Sequence, residues 1–341
     1  MSASPLYKEV RKGMSSVKRV RKSIIRILLV ASLTVLLMGT SVLPSMAAKR
    51  FLSIATASLG GSYYPIGAGI ADIINKHIPD VECKVEVTGG GLENPKLVGT
   101  GEADLGFSNH NAYFAYMGEE PYDRKYEDVR LLFAGVAPGA YQIVVAADSG
   151  IVSIRDLKGK RIALGPQGGG AVNQFPEMLA HYGLTLADLK PSFMSYEEGI
   201  LALSDGRLDA ALVSALVPSP AIVELAASTR FQFNLVTWSE EERSAFLDKH
   251  GYYAAVDIPG EVYGLPHSTL TVGTVNLVMV NAKLDEDLVY EITKAIFENL
   301  DVLYESHPSA SSITLESAVG LRSIPFHPGA ERYYREKGLI K

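Results

Sequence analysis

The chain has 341 residues, 47% hydrophobic and 21% charged, with 32 basic against 38 acidic side chains and a net charge of −6. That length supports one or two domains with a sizeable core. The single cysteine, Cys83, excludes an intramolecular disulfide and the small disulfide-stapled scaffolds that depend on one. Residues 1–47 carry eight basic side chains and one acidic, a net of +7, so the remainder carries −6 less +7, or −13, a poor balance for binding nucleic acid.

The first stretch differs in kind from the rest. Lys8, Arg11, Lys12, Lys18, Arg19, Arg21, Lys22 and Arg26 precede an uncharged run from Ile27 to Ala48, and Ser45-Met46-Ala47 offers small residues for cleavage. This succession predicts a secretory signal over 1–47, cleaved near Ala47, and a periplasmic mature protein. Met14 is an alternative start. An uncleaved anchor is the competing reading, and Gly39, Pro44 and the alanine pair speak for cleavage.

Next, Phe51–Ala57 alternates as a strand and breaks at Gly60-Gly61-Ser62. Pro65–Ile78 places Ile66, Ile70, Ile73, Ile74 and Ile78 on one helical face. Val81–Thr88 is a strand running into Gly89-Gly90-Gly91, followed by a short helix over Glu93–Val98, a strand over Asp104–Ser108 and a helix over Asn111–Met117. The plan recurs. Arg161–Leu164 is a strand that breaks at Gly168-Gly169-Gly170, ahead of a helix over Val172–His181. Strands over Pro191–Met194 and Asp209–Val213 alternate with helices over Glu197–Leu203 and Pro220–Ala227. Strand–helix alternation predicts an α/β fold, and the near-constant offset between the halves predicts two similar doubly wound lobes. Tyr141–Ala147 and Thr271–Val280 read as crossing strands that form a hinge. A helix over Asp287–Tyr304 and part of Leu315–Lys341 then return to the first lobe. Lobe one is thus expected over 48–143 with 277–341, and lobe two over 144–276.

The chemistry of an enzyme is missing from this pattern. Neither glycine turn carries a P-loop, a full dinucleotide fingerprint or a nucleophile elbow. The seven histidines show no metal-ligand spacing. His110 reads as a solvated loop residue. Asp104 and Asp209 read as turn-forming carboxylates, and Trp238 as packing. No enzyme activity, cofactor or metal is expected.

The stretches Thr56–Pro65, Thr88–Asn94, Gly101–Phe107, Asp156–Arg161 and His327–Tyr334 together resemble the TAXI-type extracytoplasmic solute receptors of tripartite ATP-independent periplasmic (TRAP) transporters. The resemblance spans essentially the whole mature chain. It implies a two-lobed periplasmic binding protein, type II-like. Such a receptor captures a small carboxylate solute (a glutamate-like amino acid, 2-oxoglutarate or another dicarboxylate) and, as a monomer, delivers it to TRAP-type membrane permease subunits. An exported enzyme or a sensory protein on the same scaffold is the alternative.

Ligand contacts are expected where glycine exposes backbone N–H at a helix start, and beyond strand ends. In lobe one these are Gly61, Ser62, Tyr63, Gly90, Gly91, Asn109 and Asn111; in lobe two, Gln167, Gly169, Gly170, Asn173 and Ser214. Ser62 can also cap the helix without giving up that contact, and Tyr64 reads as packing beneath the turn. The sequence departs from the family pattern at Asn111, where an acidic side chain often stands, which implies that 2-oxo acids and dicarboxylates are accepted at least as well as glutamate.

Overall fold

A computed structural model describes residues 49–228 and 230–341; the expected signal lies outside them. The chain opens with β1 (Arg50–Ala55), α1 (Tyr63–His77), β2 (Val81–Glu86), α2 (Asn94–Thr100), β3 (Leu105–Ser108), α3 (Asn111–Met117) and the long β4 (Val129–Ala146). It continues through β5 (Arg161–Ala163), α4 (Gly170–His181), β6 (Lys190–Ser192), α5 (Tyr196–Ser204), β7 (Ala210–Ala215), α6 (Pro220–Ala227), β8 (Phe233–Leu235), α7 (Glu240–Leu247) and β9 (Tyr253–Ile258). It closes with β10 (Thr269–Asn281), α8 (Glu286–Phe297), α9 (Leu300–Ser306), α10 (Leu315–Ala318) and α11 (Pro328–Glu336).

The strand order β2-β1-β3-β10-β4-β7-β5-β6 shows the same plan from either end. In each half, three parallel strands with the middle one earliest in sequence meet an antiparallel crossing strand. This is a mixed α/β architecture of two lobes with the same plan. The cores segregate accordingly. One joins residues 52–136 to 277–334, with Leu216 added. Two others fill the opposite faces of the second half, between 140 and 272. Trp238 is buried there against His181, Tyr182 and Phe246.

The halves also share their local fastenings. Asp104 Oδ2 accepts the Ser53 N–H at 2.9 Å, and Asp209 Oδ2 accepts the Arg161 N–H at 2.7 Å. Each carboxylate precedes one strand, β3 or β7, and ties down the neighbouring one. Burial raises the Asp104 pKa, whereas the hydrogen bond from Arg161 holds Asp209 below the usual carboxylate range.

β4 and β10 run through both halves side by side. Their register shifts between Thr274 and Asn276 and again between Asn276 and Val278. Such irregularities bend a strand and re-aim its side chains, and here they lie at the junction of the lobes. Gly135 in β4 has φ +83°, and a Cβ there would meet Ser317, so the long strand turns where only glycine fits.

The single helix expected over Asp287–Tyr304 is instead two, α8 and α9. Asn299 breaks it at φ −137°, ψ 41°, and its Nδ2 donates to the Ala295 carbonyl at 2.8 Å. An asparagine amide competes with the helix ladder in this way. In the terminal motif, His327 Nδ1 accepts the Gly329 N–H at 3.2 Å and caps α11. A Cβ on Gly329 would lie 2.3 Å from the Glu286 carbonyl oxygen. That stretch therefore holds α11 against α8.

Asn94, fully buried, gathers the strand ends of lobe one. Its Nδ2 reaches the carbonyls of Ala55, Thr56 and Phe107 at 3.2, 2.7 and 2.8 Å, and its Oδ1 accepts from Thr88 Oγ1 at 2.7 Å. Asn94→Ala should destabilise the protein by several kcal/mol, because each buried polar group left unpaired costs about 1–3 kcal/mol. Urea unfolding checks this; a loss below about 1 kcal/mol would remove Asn94 from that role.

Candidate functional site

The two glycine turns face each other across the cleft. β1 ends in the Ser58–Gly61 turn, where the Gly61 N–H reaches the Ser58 carbonyl, and α1 begins directly after Ser62. β5 leads into the Pro166–Gly169 turn, closed by Gly169 N–H to Pro166 O at 2.9 Å, and α4 begins at Gly170. No backbone acceptor takes the N–H of Ser62, Tyr63, Gly170 or Ala171 among the described residues. These helix starts therefore present donors and the positive end of a helix dipole to the space between them.

That space is lined by nine of the sequence-predicted residues: Gly61, Ser62, Tyr63, Gly90, Gly91, Asn109, Gly169, Gly170 and Ser214. Eight others complete it: Ala57, Gly89, Gly139, Tyr196, Ala215, Leu216, Thr274 and Asn276. No lining side chain is an acid, a base or a histidine. The lining tyrosines stay protonated, since burial raises Tyr63 strongly and pushes Tyr196 up to about 12.

Gly139, Thr274 and Asn276 come from the crossing strands. Asn276 Nδ2 donates to the Ala137 carbonyl at 2.6 Å while its Oδ1 accepts the Tyr63 hydroxyl at 2.6 Å. Asn109 Nδ2 donates to Thr274 Oγ1 at 3.1 Å. The hinge is thus the floor of the cleft. Tyr196 starts α5 and donates to the Ser214 carbonyl at 2.9 Å; nothing local in the sequence marked it.

Three sequence-predicted residues lie off the lining. Gln167 is exposed, at the outer corner of the Pro166–Gly169 turn. Asn111 and Asn173 instead meet each other across the lobes, Asn173 Nδ2 donating to Asn111 Oδ1 at 2.9 Å. The Ser62 hydroxyl makes no cap bond. It reaches toward the Leu216 carbonyl at 3.4 Å, in the other lobe. Tyr64 is exposed, and Tyr63 is the ring that packs, stacked on Phe107 at 4.8 Å.

His110, expected in solvent, is packed between lobes. Its ring lies 4.3 Å from that of Tyr252, and Gln174 Nε2 stands 3.0 Å from its Nε2. Gln174 Oε1 accepts the Tyr141 hydroxyl, and His110 Nδ1 is buried without a partner among the described residues. Burial lowers the His110 pKa to about 4.

The lobes stand closed. The N–H groups of Leu92 and Glu93 both donate to the Gly168 carbonyl at 3.1 Å, and Gly60 O accepts from Ala221 N and Ser219 Oγ at 3.2 Å. The enclosed cavity measures ≈ 30 Å³, against roughly 300–1,000 Å³ for pockets that take drug-sized ligands.

Residues 54–338 match the model of the NMT1-like family, nearly the whole described chain. The chain belongs to the NMT1-like family. Solved structures similar to this NMT1-like protein include PhnD1 from Prochlorococcus marinus in complex with methylphosphonate, at 12% identity and TM-score 0.50, covering 86% of this chain and 100% of that one. Another is a putative L-cystine ABC transporter protein from Listeria monocytogenes, at 13% identity and TM-score 0.46, covering 75% and 94%. A third is the periplasmic aliphatic sulphonate binding protein SsuA from Escherichia coli, at 17% identity and TM-score 0.41, covering 84% and 78%. At 12% identity the likeness to PhnD1 speaks for the fold alone.

Proposed function

We propose that this protein is an exported solute receptor that captures a small carboxylate between its lobes and delivers it to a membrane permease of the TRAP type. It binds its solute without transforming it. The observation that carries this reading is a closed cleft with two helix N-termini, four N–H groups lacking a backbone acceptor and no charged lining side chain. The permease type rests on the TAXI resemblance of the glycine turns and the terminal stretch.

An acidic protein can hold an anion this way. A helix terminus contributes about 0.3–1 kcal/mol when exposed and up to about 2 when partly buried. Charge-assisted hydrogen bonds add about 1.5–3 kcal/mol each. Micromolar affinity needs about 8 kcal/mol, and the gross sum must exceed this because ordering the solute and lobes opposes binding. The uncharged Asn111 leaves no acidic partner for an ammonium at that position, so 2-oxoglutarate should bind at least as well as glutamate.

Titration calorimetry with both solutes tests the reading. Ser62→Ala should weaken binding only about three- to tenfold, one neutral hydrogen bond being worth about 0.5–1.5 kcal/mol. Tight glutamate binding with no detectable 2-oxoglutarate binding contradicts the ligand preference. Carboxylate affinity indifferent to both glycine turns contradicts the site.

A further inference from the structure

The Asn111–Asn173 pair has hydrogen-bonding capacity to spare. A single bond joins the two amides, at 2.9 Å. Asn111 Nδ2 and Asn173 Oδ1 are both buried and have no partner among the described residues. Exchanging oxygen and nitrogen on both amides would free Asn111 Oδ1 and Asn173 Nδ2 instead. Either way the pair presents one donor and one acceptor.

The pair borders the cavity beside Gly170. A Cβ on Gly170 would lie 3.4 Å from Asn111 Nδ2 and 3.0 Å from Asn109 Nδ2. Asn111 is completely buried, at 0% exposure, and its free donor lies next to Gly170, which lines the cavity. A buried donor or acceptor without a partner is costly, and such groups ordinarily meet a ligand or an ordered water.

We infer that the end of the solute remote from its carboxylate is a primary carboxamide, read by Asn111 and Asn173 together. A carboxamide accepts through oxygen and donates through nitrogen, matching both free atoms. A second carboxylate only accepts, so it satisfies Asn111 Nδ2 and sets like against like at Asn173 Oδ1. One asparagine comes from each lobe, so the group is read only in the closed state. This inference rests on the carboxylate reading above and narrows the solute from a small carboxylate to the monoamide of a dicarboxylic acid.

Calorimetry on the purified protein at pH 7 with the matched pairs glutaramate and glutarate, and succinamate and succinate, tests it. The monoamide of at least one pair should bind tenfold or more tightly than its diacid, and Asn173→Ala should bring the two within about threefold. A preference that survives Asn173→Ala overturns the assignment to this pair. Diacids binding as well as monoamides overturn the inference, a bridging water then satisfying the pair. In that case the carboxylate reading stands, provided Ser62→Ala still weakens the diacid. Failure of all four solutes to bind at millimolar concentration overturns both.

Discussion

Gly168→Ala should reduce solute affinity about ten- to a hundredfold while leaving thermal stability unchanged or slightly raised. Every close neighbour of a Cβ at Gly168 belongs to the other lobe: Gly89 Cα at 2.8 Å, Glu93 Oε2 at 2.8 Å and Glu93 Cβ at 3.0 Å. The glutamate tip can swing away, but the Gly89 backbone cannot. Forcing a methyl group into such a contact costs about 1–3 kcal/mol, and the Gly168 carbonyl would also lose the N–H groups of Leu92 and Glu93. At 1.4 kcal/mol per tenfold, this sets the size of the effect. With the lobes apart these three contacts are relieved, and Gly168 has no positive φ. The substitution stiffens the unfolded chain, a gain of about 0.4–1 kcal/mol. Affinity and melting temperature therefore move in opposite directions. Calorimetry and thermal melts on the same sample check this, and a parallel fall in both would mean that the turn was damaged, not the closure.

Affinity should also fall on acidification, by up to about fortyfold between pH 6.5 and 4.5. In the closed state the His110 pKa lies near 4; once the lobes part, the ring returns to water, where histidine titrates near 6.5. The depressed closed-state value means that closure favours the neutral ring. This contribution is complete above about pH 6.5 and is lost as pH falls toward the closed-state value, by at most tenfold per unit. Nearby ionisable groups offer little relief. The Tyr252 and Tyr253 hydroxyls occupy the two Glu177 oxygens at 2.6 and 2.7 Å, with His250 Nδ1 3.8 Å from the same carboxylate. Tyr141 donates to Gln174. His110→Leu should flatten the profile in this window. A slope that persists in the variant would assign the effect to another group.

Much of the architecture is legible in the chain because strand and helix periods are local. The paired glycine turns and the spacing of Asp104 and Asp209 disclose two lobes without any knowledge of their contacts. Backbone donors at helix starts are legible for the same reason, since glycine before an amphipathic helix is a local pattern. The floor of the cleft is not. Thr274 and Asn276 look like ordinary members of an apolar strand, and only the register shift against β4 aims them inward. The Asn111–Asn173 pair joins residues 62 apart across two lobes, and no local period encodes that meeting. His110 was misplaced because a histidine after a strand end is usually solvated; closure covers it with Tyr252 and Gln174.

The central claim is that backbone N–H groups at two helix starts hold the solute's carboxylate. A crystal structure of the protein with its solute tests this directly. The account predicts carboxylate oxygens within hydrogen-bond distance of the Ser62 and Tyr63 or the Gly170 and Ala171 N–H groups, with no arginine or lysine in contact. A carboxylate paired with an arginine side chain, with both glycine turns left empty, would contradict it.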